Sequence, residues 1–325
     1  MRGNQGFLRS ILVSAIIFFI WLVYMDLYGQ WYLFKKNWFM SLTMVFGSFI
    51  AGASSEGGGA VAFPVLTLIY QITPPIARNF SLAIQSIGMT TASYIILRNK
   101  YPVEVRYLIP VSIGGLLGIV LGTLYLVPLL PAAYVKMLFV TFWLSFGVVL
   151  FYVNQISKRN VVDRLPALTN KGNLILGLIG VAGGGLSALL GSGIDIFSFS
   201  YVTMRYQLSE KVATPTSVII MAINSIIGFL LHKLILNDFG IQEFHYWLVC
   251  IPVVIIGAPI GARFINARTR KFVADLLYLI IVVQFVGAFL IIQPKGVLLF
   301  FTVFIFVSGL LIFFVFAKTN NIQKE

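Results

Sequence analysis

The chain has 325 residues, of which 59% are hydrophobic and 10% charged, with a formal net charge of +13. A soluble fold of this length cannot cover that much apolar surface, so the composition points to an all-α, polytopic membrane protein. The Lys and Arg residues form no single run or patch, which excludes a nucleic-acid footprint, and the one cysteine, Cys250, excludes an intrachain disulfide and a Cys-based metal site.

An apolar run from Ile11 to Tyr24 follows Arg2 and Arg9 with no small-residue cleavage pattern after it. It predicts a retained first helix over 8–27. Further spans are expected over 76–98, 103–127, 132–154, 211–235, 242–266, 271–292 and 296–317, each offering the roughly 20 apolar residues a bilayer requires. Two stretches, 38–72 and 173–206, are too long for a single pass at about 1.5 Å per residue. Gly-rich motifs interrupt both: Gly52-Ala53-Ser54-Ser55-Glu56-Gly57-Gly58-Gly59 in the first, and Gly183-Gly184-Gly185 running on to Gly191-Ser192-Gly193-Ile194-Asp195 in the second. Each reads as a helical hairpin of two half-helices that enters the membrane and returns to its own side. Two complete thin passes would give the same topology. Unwound backbone is costly in lipid unless it is buried in protein or lines a cavity, and paired interruptions in two halves of a chain point to a transporter's binding site.

Charge supports the hairpins. With the N-terminus in the cytoplasm, only Lys35, Lys36, Arg78, Lys136, Lys233 and Lys295 of the 23 Lys and Arg residues fall outside, the asymmetry expected of a multi-pass plasma-membrane protein with both termini cytoplasmic. Three spans separate the hairpins, so they open to opposite sides and the halves form an inverted repeat. At an offset of 136, identities occur at Gly57/Gly193, Phe63/Phe199, Thr67/Thr203, Tyr70/Tyr206, Gln71/Gln207, Ala77/Ala213, Ser81/Ser217, Ile84/Ile220 and Ile87/Ile223, where chance gives about two or three. Gly114-x3-Gly118 is echoed by Gly257-x3-Gly261, a spacing that lets helices approach closely in lipid. The resulting organisation is an N-terminal helix and outer loop (1–37), a first repeat (38–154), a cytoplasmic linker (155–172), a second, inverted repeat (173–292), and a C-terminal helix and tail (293–325).

The breaks carry the candidate chemistry. Gly57, Gly58, Gly59 and Ala60 open one short helix, and Gly191, Ser192, Gly193 and Ile194 open the other. Free N–H groups at a helix start carry roughly half a positive charge, and glycines let an anion approach them. If the two tips meet near mid-bilayer, they form a small-anion site without a buried Lys or Arg. Ser81 and Gln85 after the first hairpin, and Ser217 and Asn224 after the second, are suited to orient an oxyanion; the plainer role for these groups is bonding between helices. Glu56 and Asp195 are the acids deepest in apolar sequence and are proton-coupling candidates, against a capping role at a helix start. A rival reading has these two acids bind a cation in a cation- or proton-coupled metabolite carrier. A hydrolase using Ser54 with His232 or His245 is disfavoured, because both histidines fall at outer helix ends. Trp21, Trp31, Trp38 and Trp247 read as interface anchors. No metal-ligand or nucleotide-binding pattern occurs, so neither a metal nor a cofactor is expected.

The motif order resembles the TauE/SafE family of sulfite-exporter-like permeases. The matching residues are Gly57-Gly58-Gly59-x4-Pro64-x-Leu66, then Pro74-Pro75-Ile76-Ala77 and Ser81, with a second copy at Gly185 to Gly193 and Ala213-Thr214-Pro215-Thr216-Ser217. Glu56 and Ser200 depart from the family's small residue and proline. The resemblance covers about 38–292 and implies a non-enzymatic plasma-membrane permease for a small sulfur-containing anion, sulfite or an organosulfonate. The expected partners are that anion and the lipid bilayer, with the oligomer open between monomer and homodimer.

Overall fold

The computed structural model describes residues 2–54, 59–127, 131–156 and 160–318. Among them, eight helices are long and apolar enough to cross a membrane, and the fold is an all-α, polytopic membrane protein. Helix α1 (Arg2–Leu27) leads to α2 (Tyr32–Ala53), which bends at Asn37, where φ is −121° and ψ is 26°. After the first break, α3 (Gly59–Pro64) runs on through one π turn (Val65–Ile69). Helices α4 (Pro74–Arg98), α5 (Val105–Leu121), α6 (Ala132–Phe151) and α7 (Asn170–Leu190) follow. The second break separates α7 from α8 (Ile194–Arg205), and α9 (Glu210–Leu230), α10 (Ile241–Asn266), α11 (Arg270–Ile292) and α12 (Val297–Lys318) complete the chain.

Both interrupted stretches fold back on themselves. Tyr70, beyond α3, packs on Phe39 near the start of α2 with ring centroids 4.5 Å apart. In the second hairpin, Arg205 and Tyr206 at the end of α8 share a cavity with Thr169 and Lys171 at the start of α7. The legs are unequal, which corrects the half-helix expectation. Helix α7 has 21 residues, roughly 31 Å, enough to traverse the hydrocarbon core, and α2 runs on for roughly 24 Å beyond its bend at Asn37. Only the second legs are short. Gly183, Gly184 and Gly185 do not break their helix; they lie inside α7. In lipid, a helix satisfies its own backbone better than any alternative, so glycine alone does not end it.

The duplication is visible atom by atom. Gln71 and Gln207, matched at the offset of 136, both adopt left-handed backbone, with φ of 55° and 58°. The Thr67 hydroxyl donates to Phe63 O and the Thr203 hydroxyl to Phe199 O, each at 2.8 Å. Ile72 N–H donates to Leu66 O, and its counterpart Leu208 N–H to Val202 O. Helices α4 and α9 begin 136 residues apart.

Each hairpin packs on the other repeat. Helix α2 runs beside α10: Ser41 Oγ donates to Val249 O at 2.8 Å, and Gly52 meets Ala258 and Ala262 further along. Helix α7 runs beside α5 in the same manner, with Gly177 and Val181 against Gly114 and Gly118. The two small-xxx-small spacings thus pack equivalent pairs at backbone distance. Outside the repeats, α1 is pinned to α10 by Trp21 Nε1 donating to Leu248 O at 2.7 Å, and α12 to α6 by Ser145 Oγ donating to Phe306 O at 2.9 Å. The helix directions gather the starts of α1, α5, α7, α9 and α11 on one face, the basic face of the sequence, and the starts of α2, α4, α6, α10 and α12 on the opposite face.

The linker lies on the basic face, bonded to both repeats. Buried Glu104 caps α5 through Arg106 N–H and accepts Leu165 N–H at 2.8 Å, while Arg106 Nη1 donates to Leu165 O. Three residues earlier, Val162 pairs with the 207–209 strand-like segment through Val162 N–H to Gln207 O and Ser209 N–H to Val162 O. Glu104→Ala removes two hydrogen bonds to a buried charged acceptor, a loss of about 3 kcal/mol. The expected outcome is a linker that trypsin cuts at Arg164 several-fold faster, read by limited proteolysis.

Candidate functional site

The second break is fully described and lies wholly inside protein, with residues 191–204 all buried. Gly191 ends α7 with φ of +75°, its N–H donating to Ser187 O at 2.8 Å. Gly193 has φ of +147°, a conformation closed to side-chain-bearing residues. A β-carbon at 191 would lie 2.6 Å from Ser81 Cβ and 2.7 Å from Arg78 O. The tip of this hairpin is therefore pressed onto α4. Gln85 Nε2 fixes it there by donating to Gly191 O at 2.7 Å.

The donors at the start of α8 are already engaged. Gly193 N–H donates to Asp195 Oδ1 at 3.1 Å, and Ile194 N–H to Ser187 Oγ at 3.0 Å. Asp195 is fully buried. Its carboxylate takes the position at the helix start that a bound anion would take. One turn on, Ser198 Oγ meets Tyr107 OH of α5 at 2.8 Å. Asn224 of α9 and Ile194 both lie over Gly115 of α5.

Several buried polar atoms around this tip have no hydrogen-bond partner: Ser81 Oγ, Gln85 Oε1, and both Nδ2 and Oδ1 of Asn224. Orphaned polar atoms in an apolar interior cost about 1–3 kcal/mol each, so a native structure retains them where they serve a function. Hydroxyl, carbonyl and amide groups together offer both donors and acceptors to a small polar solute.

The structure thus brings Ser81, Gln85, Asn224 and Asp195 against Gly191, Ser192, Gly193 and Ile194. Ser217 does not join them. Phe229 of α9 stacks beside Trp247, whose indole donates to Ala83 O at the level of the tip, and Ser217 lies twelve residues away along α9, roughly 18 Å. Its hydroxyl donates to Thr214 O of its own helix at 2.9 Å. Glu56, Gly57 and Gly58 lie outside the described residues, whereas Gly59 and Ala60 form the first backbone of α3. The flank of the first break, Ala53, packs against Gly261 of α10. The second tip is level with Trp247, and 14 residues of α10 separate the two levels, roughly 21 Å. The described flanks therefore sit on opposite sides of the midpoint of α10.

Arg78 is the residue that sequence reasoning missed. Read as an outer charge at the start of the span 76–98, it lies one turn inside α4 and is 4% exposed, with its main chain under Gly191. The available signal was positional: Pro74 and Pro75 start the helix, so Arg78 already belongs to the packed first turn. Ser54 and His232 do not pair. Ser54 Oγ donates to Ile50 O at the end of α2 toward the basic face, and His232 bonds Asp238 near the opposite face.

No curated protein and no solved structure shows a significant match to the chain. A family model described as Sulfite exporter TauE/SafE matches residues 40–287, from the first hairpin to α11. Coverage of that extent, together with the duplicated hairpins, makes the chain a member of the sulfite exporter TauE/SafE family.

Proposed function

We propose that this chain is a secondary transporter that carries a small anion, sulfite or an organosulfonate, across the plasma membrane by alternating access, with both termini in the cytoplasm. The observation that supports it most is the second hairpin tip, buried at membrane depth against α4 and ringed by unpartnered polar atoms of Ser81, Gln85 and Asn224. An oxyanion has acceptor oxygens for the two donors left free there, Ser81 Oγ and Asn224 Nδ2. The backbone of the first tip, Gly57 to Ala60, and Ser217 would serve the equivalent role in the inverted half.

The buried position of Asp195 at the start of α8 supports a proton-coupled reading. While ionised, its carboxylate holds the Gly193 N–H and repels a second negative charge. Once protonated, it loses that repulsion and weakens its hold on the donor, so proton and anion are taken up together. Glu56 is the corresponding candidate in the first hairpin. Labelled sulfite uptake into proteoliposomes tests the reading. Saturable uptake that organosulfonates inhibit and an inward proton gradient accelerates is the expected result. Uptake no faster than in protein-free vesicles, or inhibition by metal or ammonium ions in place of sulfonates, contradicts it.

A further inference from the structure

On the face opposite the basic one, α4, α9 and α10 enclose a charged cluster that the hairpin site does not use. The Arg78 side chain is 5% exposed. Among the described residues its guanidinium donates one hydrogen bond, Nε to Asn79 Oδ1 at 3.0 Å. Its Nη2 lies 3.7 Å from Asp238 Oδ2, close enough for an ion pair but too far for a hydrogen bond. The planar fork that suits a two-oxygen anion is therefore left mostly unfilled.

The groups around it are arranged unevenly. Asn79 Nδ2 donates to Asp238 O at 3.0 Å. His232, in the π turn after α9, is 1% exposed; its Nδ1 is 2.8 Å from Asp238 Oδ1, and its buried Nε2 has no hydrogen-bond partner. Glu243, buried in the first turn of α10, adds a second carboxylate beside Gly240. Asp238 itself is 43% exposed, in the short irregular segment between α9 and α10, next to Asn237 with φ of 52°. Guanidinium and imidazole are thus fixed and buried, whereas the carboxylate facing them is exposed and carried on a connection.

We propose that Arg78, Asn79 and His232 form a reception site for a small oxyanion arriving from this face, and that the Asp238 carboxylate is a resident placeholder which the anion displaces. The proposal deepens the transport reading and rests on it for its role in the cycle. Two terminal oxygens of a sulfite, sulfonate or carboxylate group match the two Nη groups of Arg78. The Arg78 main chain underlies Gly191, so the residue that would hold the anion also borders the hairpin tip.

The test is anion binding to the purified full-length protein in detergent, followed as the rise in thermal midpoint with sodium sulfite at constant ionic strength, beside sulfite flux in proteoliposomes. Asp238→Asn removes an exposed competitor and is expected to tighten binding about threefold. Arg78→Gln is expected to weaken it about tenfold or more, and to do so equally in the Asp238→Asn background. Arg78→Lys, a variant that keeps the charge should the glutamine form fail to fold, is expected to fall between. Equal affinities in wild type, Asp238→Asn and Arg78→Lys, or no binding in any of them, overturn the reception site. Flux with equal affinities overturns it alone and spares the transport reading. Binding that follows the expected order without flux overturns the transport reading alone.

Discussion

Gly114→Val is expected to abolish recovery of folded protein. A β-carbon at 114 would lie 2.8 Å from the Gly177 carbonyl carbon and closer still to its oxygen. Neither is the movable end of a side chain; both belong to the backbone of α7. Gly118 meets Val181, and Gly184 meets Gly115 and Ile119, in the same backbone-to-backbone fashion. In lipid there is no water to expel from between helices, so close packing and weak Cα–H···O contacts supply the association. Forcing α5 away from α7 forfeits those contacts along the whole seam. The cost is about 3 kcal/mol or more, a large share of the roughly 5–15 kcal/mol that holds a typical domain together. Gly52→Val should behave alike, because it meets Ala258 in the equivalent seam between α2 and α10. Gly287→Ala in α11, with nothing within 4 Å, is the control and should leave the thermal midpoint unchanged. Size-exclusion profiles and thermal midpoints in detergent measure all three. A valine variant with a wild-type midpoint would show that these seams do not hold the repeats together.

Asp195→Asn should separate anion movement from the proton. The asparagine keeps an oxygen for the Gly193 N–H, so the hairpin tip stays folded and yield is retained. It cannot ionise, so the repulsion between carboxylate and anion is gone at every pH. Sulfite uptake driven by an inward proton gradient is expected to fall at least about tenfold, whereas exchange of labelled for unlabelled sulfite at equal pH persists. The wild type should transport better as pH falls, since protonation relieves the charge; the variant should show a flat profile. A variant that retains the wild-type pH profile would remove Asp195 from the coupling and leave it as a helix cap.

The sequence was informative where length and duplication speak. Apolar run lengths located the spans, and the excess length of 38–72 and 173–206 required a fold-back in each. The offset of 136 paired Gln71 with Gln207 before their shared left-handed backbone was seen. The Gly-x3-Gly spacings identified close seams, though not their partners. Three features were hidden for physical reasons. Glycine marks close approach as readily as a break, so Gly183 to Gly185 reads like an interruption while Gly183 lets α8 approach α7 at Ile194 and Gly184 lets α5 rest on it at Gly115 and Ile119. Depth depends on which face a helix starts from: α4 and α9 start on opposite faces, which leaves Ser81 and Ser217 at different levels. A positive residue near a helix start normally faces water, so Pro74 and Pro75 place Arg78 in the first turn of α4 without showing that the second hairpin covers it.

The linker places a ceiling on how far the halves can part at the basic face. Val162 is bonded to residues 207 and 209 beside the start of α9, and Leu165 to Glu104 and Arg106 at the start of α5. Three residues of fully stretched chain reach about 10 Å. While both sets of bonds hold, these helix ends stay within that reach plus the hydrogen bonds at either end, whereas on the opposite face the halves meet through Asn79 Nδ2 donating to Asp238 O on an exposed connection. In the alternating access proposed above, the tether would act as the stop at the basic face.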